Sequence, residues 1–171
     1  MKLILREPRL SDKKEYLEFL SEWGEEKNIT PYAATLRGRT FEQLIEELPI
    51  REKGLIEPER LVPENTYIFV DQKNHIYGAL NFRHYLNDYL MQYGGHIGYG
   101  VRPSERGKGY GNLILLEGLK IAKKFGLTKV LLTCDENNIP SARVIQGNGG
   151  VFESKVYKTD GWIQRYWITI K

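Results

Sequence analysis

The sequence predicts an α/β (α+β) chain in which strands and helices interleave in one compact unit, with an antiparallel bias. Three observations predict it. Apolar stripes at helical spacing alternate along the chain with short runs of strand-like character. Two pairs of those runs are joined by tight turns, at Asp71-Gln72-Lys73-Asn74 and Thr159-Asp160-Gly161. A glycine-rich segment, Arg106-Gly107-Lys108-Gly109-Tyr110-Gly111, stands between a strand and a helix.

Each element has its own signal. Leu3 to Arg6 reads as a first strand. A helix follows from about Asp12, with Tyr16, Phe19, Leu20 and Trp23 on one face. Thr40-Phe41-Glu42-Gln43 has the form of a capping box. Phe41, Leu44, Ile45 and Leu48 then make a second stripe, which Pro49 is expected to end. The stretch from Gly54 to Asn65 carries Pro58 and Pro63 and reads as loop. Thr66–Val70 and Ile76–Phe82 form a hairpin. Leu86 to Tyr93 fits a short helix or an irregular loop, broken by Gly94-Gly95. His96–Val101 is a strand closed by Pro103. A helix runs from about Lys108 to Phe125, with Gly111, Ile114, Leu115, Gly118, Leu119, Ala122 and Phe125 on one face and Gly126 after its end. Lys129–Cys134 is a strand, and Pro140 suits the first turn of a helix capped near Asn138. Val151–Tyr157 and Trp162–Ile170 close the chain as strands.

Composition sets bounds. The 171 residues fit one domain with a real core, and 41% are apolar. No stretch approaches the roughly 20 apolar residues of a membrane helix. The start is too short and too quickly charged for a signal peptide, so a cytoplasmic protein is expected. One cysteine, Cys134, excludes an internal disulfide framework and a cysteine-rich zinc site, and no metal is expected. A net charge of +3, from 25 basic and 22 acidic residues, does not point to nucleic acid.

The glycine-rich segment carries most of the information. The first turn of a helix has amides without internal partners, and its dipole makes that end positive. Glycines let a phosphate reach those amides, and Arg106 and Lys108 add charge beside them. A P-loop would need Ser or Thr after Gly107-Lys108 and glycine in place of Arg102. A dinucleotide fingerprint would need glycine at Asn112 or Pro103. Asp135 after the next strand keeps that second reading open. The pattern Q/R-x-x-G-x-G/A is met in full by Arg106, Gly109 and Gly111.

On those residues the segment resembles the acetyl-CoA motif of the GNAT N-acetyltransferases. The likeness extends to the preceding strand, His96 to Pro103, and to Asn138-Ile139-Pro140-Ser141 and Gly149-Gly150-Val151-Phe152. The stretch from Asn81 to Tyr99 looks like a bacterial subgroup of that superfamily. The resemblance implies one GNAT domain over 1–171, with a mixed, mostly antiparallel twisted sheet and helices on both faces. Residues 1–65 would form the acceptor side and 66–171 the acetyl-CoA-binding core. The implied reaction moves an acetyl group from acetyl-CoA to the primary amine of a small molecule or peptide, in a ternary complex.

The resemblance also distributes roles. Amides from Arg106 through Gly107, Lys108, Gly109 and Tyr110 to Gly111 would cradle the CoA pyrophosphate. Tyr99, Gly100 and Val101 would pair with the pantetheine arm, and Asn138 would hydrogen-bond its end or serve as a helix cap. Relatives carry a glutamate base where this chain has His96, which either acts as the base or shapes the acceptor pocket. Relatives carry a tyrosine acid seven residues after the motif asparagine, where this chain has Ile145. Tyr99, Tyr157 or solvent could replace it. Arg83, His84, Asn87 and Asp88 line the acceptor pocket or a solvated loop. The closing strands could pair with a second copy in a homodimer, but need not. A non-catalytic acyl-CoA sensor and a dinucleotide-binding oxidoreductase are the competing functions.

Overall fold

The computed structural model describes residues 2–26 and 29–171. Strand β1 (Ile4–Arg6) is followed by helices α1 (Lys13–Ser21) and α2 (Phe41–Glu52). Strands β2 (Glu64–Val70), β3 (Ile76–Arg83) and β4 (Ile97–Val101) come next, then helix α3 (Tyr110–Lys124). Strand β5 (Lys129–Asp135), helix α4 (Ile139–Gly147) and the hairpin β6 (Gly150–Lys158) and β7 (Gly161–Thr169) complete the chain. The strands form two sheets, β1-β2-β3-β4 and β5-β7-β6, with every recorded pairing antiparallel.

Burial explains why the four-stranded sheet is central. Strands β2 and β3 are largely buried on both faces because both faces are covered. On one side Ile68, Val70, Ile76 and Ala79 pack with Tyr16, Phe19 and Trp23 of the α1 region and with Phe41 and Leu44 of α2. On the other, Phe69, Leu80 and Phe82 pack with Ile114 and Leu115 of α3 and with Val130 and Leu132 of β5. Helices thus cover both faces, as expected.

Local chemistry sets the ends of the helices. Thr40 accepts from the Gln43 amide while Gln43 Oε1 accepts from the Thr40 amide, which is the expected capping box. Pro49 does not end α2; the helix continues to Glu52 with Pro49 inside it. Tertiary contacts override the missing amide. Leu48 is buried, and Arg51 donates to Glu64 on β2 at 2.9 Å within a buried ion pair. Helix α3 starts at Tyr110, two residues later than the stripe predicts, because Gly109 has a φ of 86°, outside the helical region. Residues Leu90–Gly94 form a π-helical turn, settling the ambiguous stretch before β4. Phe125 leaves the buried stripe and is half-exposed, packed against Phe82 and His84.

Replacing Thr40 by Ala removes one half of the capping box. The expected result is a loss of about 1 kcal/mol in stability, read as a lower midpoint in urea unfolding with an unchanged slope.

Candidate active site

Among the described residues the two sheets are joined by hydrogen bonds at one place. The His96 amide donates to Leu131 O at 2.8 Å, and the Leu131 amide donates to His96 Nδ1 at 2.9 Å. Gly95 (φ 67°) makes the approach possible: a Cβ there would stand 2.4 Å from Leu131 O. Beyond this contact β4 and β5 separate and join different sheets. Between them lies a groove of about 800 Å³. Ile97 to Val101 line one wall, and Thr133, Cys134 and Asp135 the other.

Strand β4 turns hydrogen-bonding groups toward this gap. The bonds Arg83 N–H to His96 O and Arg102 N–H to Tyr77 O mark bonded pairs with β3, at 2.8 Å each. Antiparallel pairing alternates, so the non-bonded positions are Ile97, Tyr99 and Val101, opposite Phe82, Leu80 and Gly78. Their amides and carbonyls point to the open edge.

The glycine loop closes one end. Gly107 and Gly109 have φ values of 75° and 86°, and a Cβ at either would meet nothing within 4 Å. The amides of Gly107, Lys108, Gly109, Tyr110 and Gly111 have no protein acceptor among the described residues. They face the start of a 15-residue helix, so the loop is a preformed anion site. The Arg106 amide is the exception to the predicted set, since it donates to Pro103 O at 3.3 Å. Its side chain lines the groove, ion-paired with Glu26, lying 4.8 Å over the Trp23 ring and donating from Nε to Val101 O at 3.4 Å. That pairing holds the Glu26 carboxyl below its usual range. Lys108 is tied to Ser104 O and Glu105. Behind the loop, Arg102 binds Glu15 and Glu22 at 2.5 Å each, fixing α1 against the end of β4.

Tyr99 and Asn138 both line the groove. The Tyr99 hydroxyl lies 3.2 Å from Ser141 Oγ, and burial pushes its pKa up to about 12. Burial likewise pushes the Cys134 thiol up to about 11, so it is held protonated. Asn138 Oδ1 caps α4 by accepting from the Ser141 amide, and its Nδ2 group has no recorded partner among the described residues. Ile145 is fully buried and contributes no polar group.

The remaining sequence-predicted residues are scattered. His96 is 6% exposed and does not line the groove. With Nδ1 accepting from Leu131, a neutral imidazole carries its proton on Nε2 and has no free basic nitrogen. Burial and the nearby Arg83 lower its pKa to about 4. This placement is at odds with a direct base and makes His96 the hinge pin of the groove. His84 bonds Asn65 Oδ1 at 2.6 Å and stacks near Phe82 and Phe125, away from the groove. Asn87 accepts from the Leu90 amide and donates to Arg60 O, holding its own loop. Asp88 is exposed. None of the four is among the residues that line the groove; Arg83 lies behind Gly98, its guanidinium donating to Gly94 O and Gly95 O. Sequence reasoning missed Trp23 and Thr30, which with Glu26 make the roof, and the place of Ser141 beside Tyr99. Gly100 is the trace of that roof, because a Cβ there would overlap Thr30 O.

Comparison with known proteins accords with this geometry. A family model described as an acetyltransferase (GNAT) domain matches residues 2–151. No curated protein matches significantly. Among solved structures, an acetyl transferase of Salmonella typhimurium that modifies the N-terminal serine of ribosomal protein L7/L12 is similar at TM-score 0.67 and 16% identity, covering 100% of this chain and 96% of that one. A mutant form of the spermidine N-acetyltransferase SpeG from Vibrio cholerae is similar at TM-score 0.64 and 17% identity, covering 97% and 94%.

The lowered His96 value has a sign. The unfolded chain binds that proton more readily than the folded one, so the contribution to stability is complete above about pH 6.5 and is lost as pH falls toward about 4. Replacing His96 by Gln is expected to flatten this part of the stability–pH curve. At neutral pH it should cost about 1–3 kcal/mol, since the Leu131 amide loses its partner. Urea midpoints of both proteins across that range check this.

Proposed function

The chain belongs to the GNAT acetyltransferase family, and from that membership we propose that it transfers the acetyl group of acetyl-CoA to a primary amine within a ternary complex. The observation that carries this reading is the continuity of one groove, from the free amides of the glycine loop to the open edge of β4 and the gap between the sheets. A polyphosphate with a long polar arm and a terminal thioester matches that run of groups.

The residues present fit the co-substrate. The amides from Gly107 to Gly111 would hold the pyrophosphate, with Lys108 nearby. The open edge at Tyr99 and Val101 would pair with the amides of the pantetheine arm, and Gly100 lets the roof sit close above it. Asn138 Nδ2 would donate to the same arm. The thioester would then lie between β4 and β5, and an outward amide of β4 would meet the negative charge that develops on its carbonyl oxygen.

Proton handling follows from the pKa shifts. Tyr99 keeps its hydroxyl proton at neutral pH and donates it to the departing thiolate, with Ser141 orienting the phenol. Cys134 stays a thiol and acts as wall rather than nucleophile, so attack by the amine is direct. His96 is engaged with β5, and Glu26 and Glu105 are ion-paired. The amine gives its proton to water in the open groove or to Asp135, the remaining carboxylate of its lining.

Calorimetric titration should show micromolar acetyl-CoA binding, and no comparable binding of NAD. Gly109→Val, which forces a branched side chain into positive φ at the loop, should weaken acetyl-CoA by more than about tenfold. The reading fails if a folded sample does not bind acetyl-CoA at all. Tyr99→Phe should lower kcat about a hundredfold with KM little changed; equal kcat would remove Tyr99 as the acid.

A further inference from the structure

The groove contains an amine of the protein's own. Among the described residues that line it, Lys158 is the single lysine. It ends β6, beside the turn that leads into β7, and pairs with Gly161. Asp135 of β5 lies opposite Ile163 of β7, and Ile163 lies opposite Val156 of β6. Residues opposite one another in antiparallel strands share a face, as do residues two apart along a strand. Lys158 therefore leaves the three-stranded sheet on the same face as Asp135 and Thr133, both of which line the groove.

The π-helical turn Leu90–Gly94 receives that side chain. Two side chains hold the turn to the same face. Thr133 Oγ1 donates to Tyr93 O at 2.8 Å, and Arg165 donates to Met91 O at 2.8 and 3.1 Å. Thr133 stands two residues beyond Leu131, where β4 and β5 begin to part. Tyr93 thus lines the groove at the end where the sheets part, whereas the glycine loop follows the opposite end of β4. Lys158 Nζ lies 5.6 Å from the centroid of the Tyr93 ring and 5.2 Å from that of Tyr89, and it donates to Tyr89 Oη at 2.8 Å.

These partners hold it loosely. Lys155 pairs with Glu136 and Lys108 with Glu105, but Lys158 forms no ion pair among the described residues. Ring faces at a partly exposed site bind an ammonium weakly, and a lysine head sits on a flexible stem. Leaving the rings brings the amine into the gap between β4 and β5, where the thioester would lie.

We infer that Lys158 is a self-acetylation site: with acetyl-CoA bound and no external acceptor in the groove, its Nζ takes the acetyl group within the same chain. The inference rests on the acetyl-CoA-dependent reading above. The ammonium first gives one proton to water. Nζ then attacks the carbonyl carbon, the N–C bond forms and the C–S bond breaks. The nitrogen loses a second proton, and the departing sulfur takes one up. The products are Nε-acetyl-Lys158, CoA and one released proton. The acetylated side chain is neutral and loses its attraction to the two rings.

The test incubates protein already shown to bind acetyl-CoA with that compound at neutral pH and no added amine. Peptide mass mapping before and after follows each lysine. Lys158 should acquire its acetyl group at least about tenfold faster than the exposed Lys14 and Lys73, with a rate constant independent of protein concentration. Lys158→Arg should bind acetyl-CoA as wild type does and show only the slow labelling of its surface lysines. Gly109→Val should lose the Lys158 labelling in step with its acetyl-CoA affinity. A Lys158 that stays unmodified in protein that binds acetyl-CoA overturns the inference and leaves the acetyl-CoA reading standing. So does acetylation of Lys14 and Lys73 as fast as that of Lys158, or a rate constant that rises with protein concentration, which marks transfer between copies. Failure to bind acetyl-CoA overturns the underlying reading instead.

Discussion

The structure depends on the double contact between His96 and Leu131. It is where the four-stranded and three-stranded sheets touch before β4 and β5 part. A side chain, not a backbone carbonyl, receives the second amide. That substitution lets the pairing stop after one residue instead of running on as a ladder. Gly95 permits the close approach, and Arg83 holds the two carbonyls just before it. An uninterrupted β4–β5 ladder would close the groove; without the contact, the walls would have no fixed spacing.

From that pivot the two walls acquire different chemistry. The β4 wall offers backbone groups because its outer edge is unpaired and because Gly98 and Gly100 leave space beside it. The β5 and α4 wall offers side chains, Cys134, Asn138 and Ser141, with Tyr99 reaching across to Ser141. Burial keeps the phenol and the thiol protonated, so neither is a ready nucleophile at neutral pH. The glycine-loop end of the groove needs neither device. Its donors are helix-start amides, and positive φ at Gly107 and Gly109 keeps them clear of side chains.

Arginines connect the acceptor layer to the rest. Arg102 joins α1 to the end of β4, Arg51 joins α2 to β2, and Arg106 joins the roof to the glycine loop. Each has a carboxylate within reach. Arg83 instead donates to the carbonyls of Gly94 and Gly95, just before the His96 contact.

The sequence alone determined what local rules can encode. Helical and strand periodicity, the Thr40–Gln43 box, the Gly126 stop and the two turns placed nearly every element. The pattern Arg106, Gly109, Gly111 located the glycine loop, because a positive-φ loop before a helix needs glycine at fixed spacing. Local rules failed where distant contacts outweigh them, as at Pro49, which Leu48 and Arg51 carry inside a helix. Tertiary structure alone decided the roles of His96, His84 and Asn87. All three are polar residues near one strand, and the sequence offers the same argument for each. Which one faces a cavity, and which one is bonded elsewhere, depends on partners 35, 19 and 27 residues away in the chain. A side chain's chemistry is set by the groups that reach it in space, and no local pattern records them.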